Sequence, residues 1–422
     1  MRVELAYGSG RLAVELPDER TTVVAPNFIP RAADEAAAVV EALRRPVAGP
    51  PLRDLARRGQ QVAISICDGT RPQPRHIVLP AIFAELDGIV DLEDVVVLVA
   101  TGTHRGNTDE ELRAMLGDDV VRSVRVVNHD CRDEASLAWV GRFGADVPVW
   151  LNREWVEADL RITTGFVEPH FFAGFSGGPK MIAPGLAGLD TVLTLHDARR
   201  IAHPDARWGV TEGNPVHDDV RAIAAATGVD FSLDVVLDAE QHVSRAFGGE
   251  LFAMHRAACA VVKETAMCLV RGAFDVVLTS NAGFPLDQNL YQSVKGMSAA
   301  AQIVKPGGTI ICAAECRDGF PDRSDYHAEL LRGNPPARLL EEITARTATV
   351  PDQWQIQIQA QIQVLANVVM YTSYLSPTDL TTAHLGHTAD VESAVDLALA
   401  TAGPNARVCV LPHGPLTVPY LL

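Results

Sequence analysis

Two loops of the sequence carry polar side chains directly after apolar runs. The run QVAISI is followed by CDGTRP, with Asp68, Thr70 and Arg71, and the run DVVVLVA is followed by TGTHRG, with Thr103 and His104. An arginine held in such a loop can grip a carboxylate or phosphate through two parallel hydrogen bonds, and a histidine can exchange a proton near neutral pH. Alternatively, Asp68 caps the next helix, Arg71 is solvated and His104 is an ordinary polar loop residue.

A long glycine-rich segment, EPHFFAGFSGGPK, adds a second histidine and a lysine. His170 lies near its start, and the turn at Gly177 and Gly178 presents Lys180. The segment does not meet the pattern GxxxxGK[ST], so no Walker-type ATPase is predicted. The pattern GxGxxG is also absent from the chain, which argues against a standard dinucleotide-binding enzyme.

One further histidine, His196 in TLHDAR, falls within a helix predicted over 189–202. No second histidine or acidic residue accompanies it at metal-ligand spacing, so protein ligands alone would make a poor zinc site. His196 therefore suits a metal only if a bound molecule supplies the other donors. On this fragment alone, a capping or core histidine is the simpler interpretation.

A later helix places Gln292 and Lys295 one turn apart, on the same face, with Tyr291 beside them. Three such residues could line a cleft, and a solvated helix surface fits the pattern equally well.

The residues around these loops predict an α/β fold of two domains with mostly parallel sheets. Apolar runs such as QVAISI, DVVVLVA and DVVLTSN lack alternation, which is typical of parallel strands covered on both faces. A helix is predicted over 251–270, after which a second α/β unit begins. We therefore predict domains at residues 1–270 and 271–422, with the active site in the cleft between them. Ligands of open α/β sheets bind at the carboxyl ends of the strands, where these loops fall.

Composition and charge exclude several classes of protein. The 422 residues contain 36 Lys and Arg against 53 Asp and Glu, a net charge of −17, so we expect no general binding to nucleic acid or to a membrane surface. Seven scattered cysteines give no readable disulfide framework, and Cys312 and Cys316 are interpreted as buried thiols rather than a zinc site. Neither a signal peptide nor an apolar run of membrane-spanning length is visible, so a cytoplasmic protein is expected.

Taken together, six motifs resemble one family, the lactate racemases, whose members use a nickel-pincer nucleotide. They are DGTRP, ATGTHR, EPHFFAGFSGGPKMIAPGLAG, TLHDAR, GNPVH and SNAGFPLDQNLYQSVKGMSAA, and they follow the family's order from about residue 67 to about residue 300. The resemblance extends over most of the chain.

The resemblance implies a role for each candidate residue. Residues 1–270 would form the cofactor-binding and catalytic domain, with the smaller domain closing the cleft. His196 would complete the coordination of nickel, whose other donors are two sulfurs and one ring carbon of the pincer. Residues of the site that would catalyse the reaction are His104, His170, Arg71, Lys295 and Gln292. Residues that would hold the cofactor (pyridinium-3,5-bisthiocarboxylic acid mononucleotide nickel) are Lys180, through a thioamide tether, Asp68, Thr70, Thr103, Gly177, Gly178, Tyr291 and Trp354.

The implied function is a racemase or epimerase of small 2-hydroxy carboxylic acids, acting by reversible hydride transfer. Removing the hydrogen as hydride avoids a carbanion beside a carboxylate, and two opposed histidines serve the two enantiomers. An NAD-dependent 2-hydroxyacid dehydrogenase is disfavoured by the missing GxGxxG, and a non-catalytic nickel-nucleotide binder would not need two bases. Lactate, malate, aromatic and sugar acids all remain open as substrates. Maturation would require cofactor-synthesis proteins.

Overall fold

The computed structural model describes residues 1–321 and 325–421, and strands and helices alternate along most of them. The strands are β1 Arg2–Tyr7, β2 Gly10–Glu15, β3 Thr21–Val23, β4 Val62–Cys67, β5 Val95–Ala100, β6 Arg125–Asn128, β7 Leu137–Phe143, β8 Val147–Asn152, β9 Leu160–Phe166, β10 Pro169–His170, β11 Gly174–Phe175, β12 Phe231–Leu237, β13 Val243–Gly249, β14 Met267–Val270, β15 Phe274–Ser280, β16 Val304–Ala313, β17 Asn367–Tyr371, β18 Gly386–His387, β19 Val408–Leu411 and β20 Val418–Leu421.

The α-helices are α1 Glu35–Arg44, α2 Leu52–Leu55, α3 Arg75–Leu86, α4 Asp109–Leu116, α5 Asp118–Ser123, α6 Arg153–Glu157, α7 Leu189–Leu195, α8 Ala198–Ile201, α9 Pro215–Thr227, α10 Leu251–Ala266, α11 Leu290–Ala301, α12 Asp325–Leu331, α13 Pro336–Ala345, α14 Gln353–Leu365, α15 Pro377–Thr382 and α16 Val391–Ala402. No helix among the described residues is long and apolar enough to cross a lipid bilayer.

The chain divides into two compact units, which we call the first and the second unit. The first comprises Phe28–His196 and Asp205–Glu264, and the second comprises Met1–Asn27, Asp197–Pro204 and Thr265–Leu422. The polypeptide therefore passes between the two units several times, whereas the sequence predicts a single boundary after residue 270. The amino-terminal hairpin β1–β2 and strand β3 belong with the carboxyl-terminal residues.

The first unit is built on a six-stranded sheet in the order β13-β12-β9-β4-β5-β6. Only β13 runs antiparallel to its neighbour. Every residue of β4 is buried, and β5 is buried up to its last residue. These strands are covered on both faces, as their continuous apolar runs indicate. The neighbouring strands β9, β4 and β5 end beside one another, so the loops that follow them emerge at one edge of the sheet.

The second unit has a six-stranded sheet in the order β18-β17-β16-β15-β19-β3, in which all pairs are parallel. Valine, leucine and isoleucine from β15, β16 and β19 form its core with α16 and the β1–β2 hairpin. Helix α11 lies very close to β15, because a Cβ atom at Gly296 would be 2.3 Å from the carbonyl oxygen of Ser280. The predicted fold class, α/β with mostly parallel sheets, is confirmed.

Two predicted helices differ from the structure: one is interrupted and the other ends early. The helix predicted over 189–202 divides into α7 and α8, because the side chain of Asp197 accepts a hydrogen bond from the backbone nitrogen of Arg200 at 2.7 Å and starts a new helix. His196 therefore lies at the carboxyl end of α7 and not inside a helix. The helix predicted over 251–270 ends at Ala266, and the next four residues form β14, which pairs with β20.

Candidate active site

The loop after β4 is a tight turn organised by Asp68. Its Oδ1 accepts hydrogen bonds from the backbone nitrogen of Thr70 at 3.1 Å and from the Thr70 hydroxyl at 2.6 Å. Arg71 donates from Nη1 to the same hydroxyl at 2.8 Å. The loop thereby joins the three residues that the sequence singled out, and Arg71 stays half-buried beside a buried carboxylate.

A residue that the sequence did not single out, Arg75, holds this loop in place. Its buried guanidinium donates to the carbonyl oxygens of Cys67 at 2.9 Å, Gln73 at 3.0 Å and Arg71 at 3.0 Å, and also to that of Asp68. Arg75 is the first residue of α3, where an arginine is ordinarily solvated, so the sequence held no clear signal of this role.

The loops after β4 and β5 are joined by a contact between Asp68 and His104. Oδ2 of Asp68 lies 2.6 Å from Nδ1 of His104. Burial alone would raise the pKa of the Asp68 carboxyl, but His104, Arg71 and Thr70 outweigh it and hold that pKa well below its usual range. The carboxylate therefore stays ionised and orients the imidazole. Thr103 lies half-buried in the turn just before His104.

The aromatic ring of Phe172 brings three other predicted residues together. The ring of His170 lies edge-on against it at 4.5 Å between centroids, and the ring of His196 does so at 5.3 Å. Nζ of Lys180 lies 5.6 Å from the centre of the same ring. His170, Lys180 and His196, which lie at most 26 residues apart in the sequence, therefore surround one buried phenylalanine.

The hydrogen bond of His196 at Nδ1 suits a metal ligand that binds through Nε2. Its Nδ1 lies 2.8 Å from the backbone carbonyl oxygen of Val192, which can only accept, so Nδ1 carries a hydrogen, and in the neutral ring the lone pair is then on Nε2. Metal-binding histidines ordinarily donate their second N–H to such a partner. Among the described residues, no group of three or more His, Cys, Asp or Glu side chains could hold a metal ion.

The turn that presents Lys180 can be made only by glycines. Gly177 and Gly178 have φ angles of 70° and 52°, in the left-handed region. A Cβ atom at Gly177 would lie 2.5 Å from Oδ2 of Asp234, and one at Gly178 would lie 2.5 Å from the ring of His255. The backbone nitrogen of Gly178 donates to Oδ2 of Asp234 at 2.6 Å.

Two further buried residues support the segment around Phe172, and the sequence analysis gave neither a role. Asn214 donates from Nδ2 to the carbonyl oxygen of Phe172 at 2.8 Å, while its Oδ1 caps α9. His255 lies under the glycine turn and donates from Nε2 to the carbonyl oxygen of Ser176 at 2.8 Å. Burial lowers the pKa of His255 to about 4, so this ring is neutral.

The second unit contains the remaining candidate site residues, which lie on α11 and α14. Nε1 of Trp354 donates to the hydroxyl of Tyr291 at 2.8 Å, which joins α14 to α11. Gln292 and Lys295 are buried on α11, and Oε1 of Gln292 has no hydrogen-bond partner among the described residues. Asn281 accepts the backbone N–H of Gly296 at 2.8 Å and so fixes the SNAGFPLD loop against the helix.

Cys312 and Cys316 are both free, buried thiols, and burial raises the pKa of each. The interpretation as thiols agrees with this arrangement.

The fold and these clusters define an α/β protein with mostly parallel sheets, in which loops after buried strands carry histidines and an arginine and a glycine turn presents a lysine. Residues 7–209 match the lactate racemase N-terminal domain, and residues 270–418 match the lactate racemase C-terminal domain. The chain therefore belongs to the lactate racemase family.

Individual relatives match over almost the full length. A lactate racemase of Thermoanaerobacterium thermosaccharolyticum is 37% identical over 418 residues, which are 98% of this chain and 97% of that protein. A lactate racemase of Lactiplantibacillus plantarum is 35% identical over 419 residues, 96% of this chain and 98% of that protein. The structure of the Thermoanaerobacterium lactate racemase apoprotein superposes with a TM-score of 0.92, covering 99% of this chain and 100% of that one.

The residues present fit the nickel-dependent cofactor that the family implies. His196 carries a hydrogen on Nδ1, which in the neutral ring leaves Nε2 as the donor atom for a metal, and Lys180 and His196 both contact the ring of Phe172. A single histidine ligand is what a metal needs when a bound nucleotide brings its other donors.

Proposed function

We propose that this protein interconverts the enantiomers of a small 2-hydroxy carboxylic acid of the lactate type. The observation that carries the proposal is the gathering of His170, Lys180 and His196 around Phe172, in a chain that matches lactate racemases over nearly its whole length. The Asp68–His104 pair at the neighbouring strand end supplies a second proton-exchanging group.

The two histidines are the acid and the base. One accepts the proton of the substrate hydroxyl on one face of the acid, and the other returns a proton to the oxygen on the opposite face. A histidine's ordinary pKa of ~6.5 suits a group that must do both near neutral pH. The ionised Asp68 balances the positive charge that forms on His104.

Arg71, Lys295 and Gln292 bind the substrate. Arg71 is fixed by the Thr70 hydroxyl and presents a planar fork to a carboxylate, while Lys295 offers a second positive charge for the oxygens of the acid. Gln292 is buried on the same helix, and its Oε1 is an acceptor without a hydrogen-bond partner among the described residues.

His196 and Lys180 would hold the nickel-pincer nucleotide, His196 through Nε2 and Lys180 through a thioamide, and Asp68, Thr70, Thr103, Gly177, Gly178, Tyr291 and Trp354 would be further contacts. When bound, this group supplies the acceptor that takes the C2 hydrogen with its electron pair and gives it back. Cofactor-synthesis proteins act before the enzyme is functional. Free thiols at all seven cysteines suit a reducing cytoplasm.

The test uses the enzyme produced together with the cofactor pathway and lactate carrying deuterium at C2. We expect the deuterium to stay largely on the product while optical activity is lost, because the hydrogen does not exchange with water. His104→Ala and His170→Ala should each lower racemisation by ~10²–10⁴-fold, whereas His76→Ala, at an exposed position on α3, should not. Deuterium washout at the rate of racemisation would overturn the mechanism, and full activity in His170→Ala would overturn the assignment of that residue.

A further inference from the structure

His104 and His170 make opposite kinds of hydrogen bond through the same ring nitrogen. Nδ1 of His104 faces the ionised carboxylate of Asp68, which can only accept. Nδ1 of His170 lies 3.2 Å from the backbone nitrogen of Ala173, which can only donate. When both rings are neutral, the hydrogen is therefore on Nδ1 of His104 and on Nε2 of His170.

The two environments have different consequences for proton exchange at Nε2. The His104 ring already offers a lone pair there, and after it accepts a proton it keeps its bond to Asp68 unchanged. His170 can accept a proton at Nε2 only as the neutral ring with its hydrogen on Nδ1. It can release a proton from Nε2 only as the imidazolium, which also has a hydrogen on Nδ1. The amide of Ala173 points at that position, so His170 cannot take either form where it now lies.

Packing and exposure also distinguish His104 from His170 as groups that exchange protons. The ring of His170 packs against those of Phe171 and Phe172, with centroids 5.0 Å and 4.5 Å away, and the residue is 7% exposed. The side chain of His104 is 29% exposed, so water can reach it and restore its protonation between turnovers.

We propose that His104 is the preorganised member of the acid–base pair and that His170 enters the proton cycle only after its contact with the Ala173 amide breaks. This inference rests on the proposed function. For one enantiomer the hydroxyl O–H bond breaks first, its proton goes to Nε2 of His104, and His170 must leave Ala173 before it protonates the product oxygen. For the other enantiomer His170 must leave Ala173 at the outset. Exchange with water returns one proton to His170 and removes one from His104.

In this cycle Asp68 acts through His104, whose ring it positions, and this effect has a spectroscopic signature. The imidazole nitrogen-15 shifts of the full-length chain distinguish the two tautomers, with each signal assigned by replacing one histidine at a time. His129 is a reference for hydrogen on Nε2, because that atom lies 3.0 Å from the carbonyl oxygen of Ala187. His196 is the reference for hydrogen on Nδ1.

We expect His104 to match the His196 reference and His170 to match the His129 reference. Asp68→Asn should shift His104 away from the Nδ1–H form, because an amide can donate to Nδ1, and should lower racemisation by ~10²-fold or more. It should leave the His170 signal in place. Asp238→Asn is the matched control, since Asp238 pairs with His242 at 3.5 Å, outside these loops.

The same tautomer in both rings, or a His104 signal that Asp68→Asn does not move, would overturn the inference. These shifts are read without substrate turnover, so their failure is distinct from a failure of the proposed function, which the deuterium experiment measures.

Discussion

Oδ2 of Asp234 accepts the backbone N–H of Gly178 at 2.6 Å, directly below the turn that presents Lys180. Asp234 lies in the middle of β12 and is fully buried, and no basic side chain is among the causes that shift its pKa. Burial raises this pKa to about 7, against the opposing effect of the backbone N–H groups of Gly178 and Gly165. The Asp234 carboxyl, which accepts the Gly178 N–H in the turn before Lys180, therefore titrates near neutral pH.

The titration of Asp234 should appear in the stability of the protein. A carboxyl whose pKa is raised from 3.8 to about 7 on folding favours the folded state when protonated, and this contribution is lost as the pH rises from ~4 to ~7. The shift corresponds to at most roughly 4 kcal/mol. Asp234→Asn cannot ionise, so its melting temperature relative to the parent chain should rise by several degrees between pH 5 and pH 8.

Calorimetry of both chains across this range checks the prediction. Asp234→Ala is the companion variant, because it leaves the Gly178 amide unsatisfied at every pH and should be about 1–3 kcal/mol less stable than Asp234→Asn throughout the range. A difference between Asp234→Asn and the parent chain that does not depend on pH would contradict the pKa assignment.

Gly178→Ala should destabilise the protein more than an ordinary glycine replacement. Its Cβ would meet the ring of His255 at 2.5 Å, in addition to the strain of a φ of 52°. Gly59→Ala isolates the strain, because Gly59 has a φ of 79° and nothing within 4 Å of the added carbon. We expect ~1–2 kcal/mol for Gly59→Ala and ~1–3 kcal/mol more for Gly178→Ala. Equal melting temperatures for the two variants would show that the turn can relax around the new side chain.

The sequence identifies these loops because each follows a buried strand. The apolar runs of β4, β5 and β9 have no alternation, and in parallel sheets ligands bind where such strands end. What the sequence could not give is the register. The contact between Asp68 and His104 depends on Cys67 pairing with Ala100 across the two strands, and nothing local specifies that pairing.

Other features were hidden because tertiary contacts override the local pattern. Residues 353–365 alternate glutamine with apolar residues, a period typical of a strand, yet they form α14. Buried glutamines of this helix donate hydrogen bonds to backbone carbonyls outside it. Gln357 donates to the carbonyl oxygen of Ala198 at 2.9 Å, and Gln359 donates to that of Ala383 at 3.0 Å. Asp234 did leave a signal, a single charged residue within the apolar run FSLDVVL.

Arg71→Lys should impair the enzyme far more than its conserved charge suggests. Lysine keeps the positive charge but loses the planar fork and the bond to the Thr70 hydroxyl at 2.8 Å. A hydrogen bond to a charged group is worth about 1.5–3 kcal/mol, so kcat/KM should fall by ~10–100-fold. Arg113→Lys, on the exposed face of α4, is the matched control. An Arg71→Lys enzyme with unchanged kcat/KM would exclude bidentate hydrogen bonding of Arg71 to the substrate carboxylate.

The last prediction separates the two attachments of the cofactor, the tether at Lys180 and the metal bond at His196. Lys180→Ala should abolish any covalent addition to the chain, because no amine remains at the turn to form the thioamide. His196→Ala should keep the covalent mass and lose most of the nickel, since a missing direct ligand leaves an open coordination position.

Intact mass spectrometry under denaturing conditions reads the tether, and elemental analysis of the native protein reads the metal, in chains produced together with the cofactor pathway. His76→Ala, exposed on α3, should match the parent chain in both measurements. All three variants should stay folded, because the buried core of the first unit includes none of these side chains. Nickel content and covalent mass that fall together in both Lys180→Ala and His196→Ala would show that the two attachments are not independent. Parent-like values in both variants would mean that neither residue holds the cofactor.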